Sequence, residues 1–352
     1  MTQPLHGLRV VDLSELLPGP YAAKILGDLG ASVVKIERPG GDGALSLSPT
    51  LYKVLNKGKD RQEIDLKSEM GRDAFKGIVA QADVLIEAYR PGVAARLGID
   101  HETLLDLNPR LIYAAITGYG QTGPDAQRPG HDINYLARAG VLAISGQPDG
   151  APGYDFGLPV ADLAGSMFAV TSIMAAYIQR QETGLGQFLD VSISNSTAYW
   201  MTPRMGLFSG PEALDAREAK LAILSRPAYG IFETSDGAYI TIAAVEDKFW
   251  TALVGILDLP FADDPRLGSY PERQTHAAEI NSVIGARILK RPAAEWDGIF
   301  GSIDIPFALV QSPQDTEGPD NGGQAGSGAH YPVSMQGLRD DRSETPDREC
   351  DR

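Results

Sequence analysis

The first forty residues constrain the fold more than any other stretch. "LRVVDLS" is a β-branched apolar run, "PYAAKILGDLG" opens on Pro18 and Pro20 and closes at Gly30, and "SVVKIE" is a second β-branched run. Strand, helix and strand at this spacing predict a β-α-β unit, which commits the chain to a parallel sheet. The alternation then continues. A helix is expected near residues 69–81, a strand at "DVLIEA", a short helix ending at "RLG", a helix "HETLLDL" capped by Asp100, and a strand at "LIYAAIT". Beyond these lie "HDINYLARAGVLAIS", read as helical, a Gly/Pro-rich loop over 146–159, a long helix over about 162–181, and "GQFLDVSISNSTAYWM", read as strand then helix. Residues 1–210 are therefore expected to form one large Rossmann-like α/β domain.

After a linker at 211–225 the pattern changes. "YGIFETSDGAYITIAAV" carries two alternating runs around Ser235, Asp236 and Gly237, which is a hairpin signature. Helices over 246–257, 272–289 and 293–300 and a strand at "IPFALV" complete a smaller α+β domain over 226–310. From 311 to 352 Gly, Pro, Asp, Ser, Gln and Arg dominate without apolar periodicity, and disorder is expected.

Several function classes are excluded or weakened. A dinucleotide-binding sheet should carry G-x-G-x-x-G in its first turn, but that turn reads "SELLPGP". The only cysteine is Cys350, which leaves no disulfide framework and no cysteine metal site. A formal net charge of −15 argues against a nucleic-acid partner. No signal pattern opens the chain, and Gly165, Ser166, Thr171 and Ser172 interrupt its longest apolar helix, over 163–178, so a cytoplasmic protein without a membrane partner is expected. Within the acidic whole, Lys53, Lys57, Lys59, Arg61 and Lys67 crowd one short stretch, with Lys35 and Arg38 shortly before it. That cluster is either a solvated loop or a pocket for a compact polyanion such as a nucleotide phosphate.

The chain also lacks G-x-S-x-G, H-E-x-x-H and a Walker loop. Of five histidines, His131 in "GHDINYLA" is the one on a structured stretch beside a flexible loop; it is either a helix-start residue or a proton carrier. Asp162 stands at the start of "ADLAGSMFAV", as an ordinary N-cap or as a carboxylate beside an anion-favouring helix end. Glu246, in "AAVEDKFW", reads locally as an acid at a helix start.

Taken together and in order, "GLRVVDLSELLPGPYAAKILGDLGASVVKIERPGGD", "NKGKDRQEIDLKS", "ADVLIEAYRPGVAARLGID", "NPRLIYAAITGYGQTGP", "GHDINYLA", "PVADLAGSMFAV", "GLGQFLDVSI" and "DGAYITIAAVEDKFW" resemble the family III CoA-transferase fold family, and within it the α-methylacyl-CoA racemase group. The resemblance spans roughly residues 5–310. It implies an acyl-CoA substrate, a Rossmann-like lobe joined to a smaller one, and an interlocked homodimer with active sites where the large lobe of one chain meets the small lobe of the other. By the same resemblance His131 and Asp162 are the racemase bases and Glu246 orients the histidine. In transferases the Asp162 position is instead the nucleophile that forms an acyl-aspartate. Arg38 is implied near the adenosine phosphate of CoA, and Lys59, Arg61 and Arg96 are further contacts by charge and position. CoA is then part of the substrate and no separate cofactor or metal is expected.

The chemistry suits these residue types. Inverting C2 of a thioester removes a proton from one face and returns one to the other, which calls for two bases around an enolate. The leading expectation is an isomerase of lipid metabolism that interconverts 2-methylacyl-CoA epimers. A CoA-transferase working through Asp162 is the alternative, and a CoA-binding remnant altered by an atypical tail after Gln311 is the third.

Overall fold

The computed structural model describes residues 3–155, 157–313 and 332–333. Most of the stretch expected to be disordered, together with Cys350, lies outside them.

Two packed units emerge, and they divide the chain at other points than a boundary near 210. Among the described residues the first runs to His131 and resumes over Ala161–Ser196; the second takes Asp132–Val160 and the stretch from Thr197 to residue 313. The first unit holds β1 (Arg9–Asp12), α1 (Pro18–Asp28), β2 (Ser32–Glu37), α2 (Ala44–Leu47), α3 (Pro49–Leu55), β3 (Asp60–Glu63), α4 (Glu69–Val79), β4 (Val84–Glu87), α5 (Val93–Leu97), α6 (His101–Leu107) and β5 (Ile112–Thr117). After α7 (Asp132–Arg138) the long α8 (Val160–Thr183) leads into β6 (Gln187–Ser192) and α9 (Ile193–Trp200).

All six strands pair in parallel in the order β3-β2-β1-β4-β5-β6. The chain winds outward from β1 through β2 to β3, then returns to lay β4 on the other side of β1. That reversal opens a crevice at the carboxyl ends of β1 and β4. The central strands β4 and β5 are buried along their whole length, as a parallel sheet covered on both faces requires. The edge strand β3, "DRQE", is exposed at every residue. Its charges blunt the edge, and they also left no apolar signal by which to foresee a strand.

Helix α8 exceeds the expected length. At 24 residues it is long and apolar enough to cross a membrane by length and composition alone. Its buried face includes Ala161, Ala164, Ser166, Ala169 and Ile173, and its buried Arg180 pairs with Asp83 of the first unit at 3.0 Å. Those contacts are those of a core helix.

The second unit contains α10 (Ala216–Leu224), β7 (Tyr229–Glu233), β8 (Tyr239–Ala243), α11 (Asp247–Ile256), α12 (Tyr270–Thr275), α13 (Ala277–Ile288), α14 (Ala293–Gly301) and β9 (Phe307–Leu309). The expected hairpin is present as β7 and β8, and β9 joins it to make a three-stranded antiparallel sheet. Phe232, Ile240, Ile242, Ile280, Ile284, Trp296 and Phe300 form the core between this sheet and the helices. The helix expected over 272–289 is two helices that meet at His276, and α10 lies in a stretch that reads as linker. The helix expected from His131 onward ends at Arg138 and is followed by a short 3₁₀ turn at Val141–Ile144.

Candidate active site

A cavity of about 430 Å³ opens in the first unit at the carboxyl ends of four adjacent strands. Leu13 and Glu15 follow β1, Arg38 follows β2, Asp65 and Lys67 follow β3, and Tyr89 follows β4; all line it. It therefore straddles the topological switch point, where open parallel sheets bind their ligands. Arg38 is exposed, with its Nε 3.2 Å from both a Glu15 carboxylate oxygen and the Gly41 carbonyl. Burial, with the charges of Glu15 and Glu87, pushes the Tyr89 phenol up to about 12, so a neutral hydroxyl faces the cavity at neutral pH.

Behind this cavity the β1–α1 turn is built on buried charge. Asp12, Lys35, Asp42 and Lys59 are all buried. The Lys59 ammonium donates to Asp12 at 2.8 Å, to the Pro20 carbonyl at 2.8 Å and to Asn56 at 3.0 Å. Lys35 donates to Asp42 at 3.0 Å and to the Ser14 carbonyl, and Ser14 donates to Asp12. Burial works against every one of these charges, but Asp12 faces two ammonium groups, which hold its carboxyl below the usual range. Burial, with the like charge of Lys35, outweighs the carboxylates of Asp12 and Asp42 and leaves the Lys59 ammonium below the usual lysine range.

Asp42 also accepts the Leu16 N–H at 3.1 Å, and Leu16 sits at φ +66°, a left-handed conformation costly for a branched side chain. Gly19 fits where it does because a Cβ there would lie 2.1 Å from the Ser14 hydroxyl. This turn takes the place of the glycine-rich dinucleotide loop.

The expected phosphate contacts therefore separate. Arg38 lines the cavity. Lys59 does not: its three ammonium protons are spent inside the buried cluster, and its role is structural. Arg61, on exposed β3, donates to the Tyr52 hydroxyl at 3.0 Å, and that hydroxyl in turn donates to Glu37. Arg96 is exposed on α5 between Val93 and Leu97, both of which line the cavity. Glu15 and Tyr89 were not foreseen as site residues, and Lys67 was foreseen only as one member of the basic cluster. The signal that finds them is position, immediately after a strand on the ligand side of the sheet.

The three expected catalytic residues stand on three different segments of the chain. His131 is exposed and directly precedes α7, whose first residue, the buried Asp132, accepts a hydrogen bond from Tyr154 at 2.8 Å. Asp162 is partly buried and is the third residue of α8, not its cap, so it sits in the first turn, where the helix dipole favours a negative charge. One turn on, the Ser166 hydroxyl lies 2.8 Å from the Pro18 carbonyl and 2.9 Å from that of Asp162. The first turn of α8 is thereby fastened to the start of α1, at the end of the turn that lines the cavity. Glu246 belongs to the second unit, exposed at the N-cap position of α11 without a side-chain cap bond. The next residue, Asp247, pairs with the buried Arg273, which packs over Trp250. Among the described residues no cluster of three or more His, Cys, Asp or Glu is placed to hold a metal ion.

Residues 5–325 match the model of CoA-transferase family III. The chain is 34% identical over 311 residues to the acetyl-CoA:oxalate CoA-transferase of Acetobacter aceti, covering 86% of this chain and 79% of that one. It is equally 34% identical over 308 residues to the alpha-methylacyl-CoA racemase of Mus musculus, covering 85% and 76%. Among solved structures, a CAIB/BAIF family protein from Brucella suis superposes with a TM-score of 0.77 at 29% identity, covering 89% of this chain and 85% of the other. With a six-stranded parallel sheet, a separate antiparallel sheet and this match along most of its length, the chain is an enzyme of CoA-transferase family III.

Proposed function

We propose that this enzyme interconverts the two configurations at C2 of 2-methylacyl-CoA thioesters, by removing the α-proton to form an enolate and returning a proton to the opposite face. The observation that carries the reading is the pairing, on one scaffold, of Asp162 in the first turn of α8 with a histidine, His131, in the stretch "GHDINY". Racemisation needs two bases of different placement, whereas acyl transfer through an aspartyl intermediate needs only the carboxylate. His131 takes the proton from one epimer and Asp162 from the other. Glu246 orients the imidazole, supplied across the interface of an interlocked homodimer. The positive end of the α8 dipole favours the charge that develops on the thioester oxygen.

The nucleotide end of CoA lies in the switch-point cavity. Its phosphates meet Arg38 and Lys67, and Arg61 and Arg96 add positive charge at the margin. No cofactor beyond the substrate's own CoA is needed, and the setting is cytoplasmic lipid metabolism.

A second reading is supported by the transferase named among the relatives: Asp162 as nucleophile, attacking the donor thioester so that, through aspartyl intermediates, the donor acid leaves and CoA passes to an acceptor carboxylate. Incubation of the wild-type protein with a single 2-methylacyl-CoA epimer in D₂O separates the two. The racemase reading predicts deuterium at C2, visible by NMR, together with appearance of the other epimer. No exchange, with hydroxylamine trapping an acyl group on Asp162, would establish the transferase reading instead.

A further inference from the structure

Glu87, the last residue of β4, is a buried carboxyl with no cation beside it. It is 3% exposed, and among the described residues no lysine, arginine or histidine lies within ion-pair distance of it. It accepts the Tyr89 backbone N–H at 2.6 Å, while the Tyr113 phenol on β5 donates its one proton to the Ile99 carbonyl at 3.2 Å. Tyr89 is the cavity wall on the β4 side. The Glu87 carboxyl therefore stands one residue behind the space in which the nucleotide is placed, joined to it by a single hydrogen bond.

The charged groups around it do not neutralise it. On the β1 side Asp12 is matched within the Lys35, Asp42 and Lys59 cluster, and Glu15 is engaged with Arg38 at the cavity rim. On α1, which packs on β4, Lys24 and Asp28 pair with each other. At the far end of β4, Asp83 pairs with Arg180. On the β5 side only the Tyr113 phenol approaches, with Asp100 beyond it.

Resting on the reading of the cavity as a CoA site, we propose that Glu87 is a positioning residue of that site which takes up a proton when the anionic nucleotide binds, fixing the Tyr89 wall around a neutral carboxylic acid. Coenzyme A brings several negative charges into the cavity, and like charges disfavour ionisation of a buried carboxyl behind its wall. The balance is one proton: ionised Glu87, the ligand and one solvent proton go to protonated Glu87 with ligand bound. Burial already pushes the free-state carboxyl up to about 7, so uptake falls in the neutral range. A carboxyl with a merely structural role would keep one protonation state throughout.

The test is calorimetric titration of the intact protein with coenzyme A at pH 7, in buffers of differing ionisation enthalpy, for wild type and Glu87→Gln. Protons exchanged by the ligand's own phosphates are common to both proteins and cancel in the difference. The expected result is net proton uptake in wild type that is lost in the variant. Wild-type affinity should also weaken between pH 6 and pH 8 relative to the variant, by about fivefold if binding raises the carboxyl's pKa by one unit and by about tenfold at most. If Glu87→Gln does not fold, Tyr113→Phe serves instead. It removes the phenol whose presence favours the ionised carboxyl, so the uptake maximum should move to higher pH. Equal proton uptake in wild type and Glu87→Gln, or an unmoved maximum in Tyr113→Phe, would overturn the assignment and leave the CoA reading intact. Failure of coenzyme A to bind wild type at all would overturn both.

Discussion

Asp12, Lys35, Asp42 and Lys59 are four charges withdrawn from water at the root of the β1–α1 turn, and each is retained only because the others face it. Removing one partner of such a group strands the rest. Lys59→Met should cost about 3–5 kcal/mol of stability in a denaturant titration, with Asp12→Asn in the same chain restoring part of the loss because no unmatched carboxylate then remains. A Lys59→Met protein of native stability that bound coenzyme A poorly would return Lys59 to the role of phosphate ligand. The sequence could not separate these roles. Lys59 and Lys67 stand in the same basic run, and only the fold turns one inward to Asp12 and the other toward the cavity.

At the scale of elements, the close approach of β5 and β6 depends on Gly186. A Cβ at that position would fall 1.9 Å from the Leu111 carbonyl oxygen, a backbone atom that cannot swing away. Gly186→Ala should therefore lower the melting temperature, at a cost of about 1–3 kcal/mol, with the fold retained by circular dichroism; an unchanged melting temperature would contradict this packing.

Elements with strong local signals were legible. These include β1, α1 and β2, the hairpin of β7 and β8, and α6, where Asp100 accepts the Thr103 N–H at 3.0 Å as a cap should. Others were not. The edge strand β3 has no apolar residue to announce it. The helix pair α12 and α13 reads as one periodic run, although Ser269 and Glu272 form a capping box that marks an earlier start. Helix α10 carries the same kind of mark, Asp215 with Glu218, inside a stretch whose weak periodicity reads as linker.

At the scale of the molecule, the alternation of strands and helices predicts a parallel sheet, but the order β3-β2-β1-β4-β5-β6, and with it the switch point, depends on pairings that no local pattern encodes. The cavity was legible only as a basic cluster, since its walls come from segments following four different strands. Asp162 and His131 could be named from the motifs that hold them, while the fastening of α8 to α1 through Ser166 required the fold. The central claim is that His131 and Asp162 are separate bases serving separate hands of the substrate. It is tested most directly by His131→Ala, assayed in D₂O with each 2-methylacyl-CoA epimer in turn. The account predicts that epimer interconversion is lost while α-deuterium still enters one epimer, through Asp162, and not the other. Interconversion at near the wild-type rate in His131→Ala would contradict it.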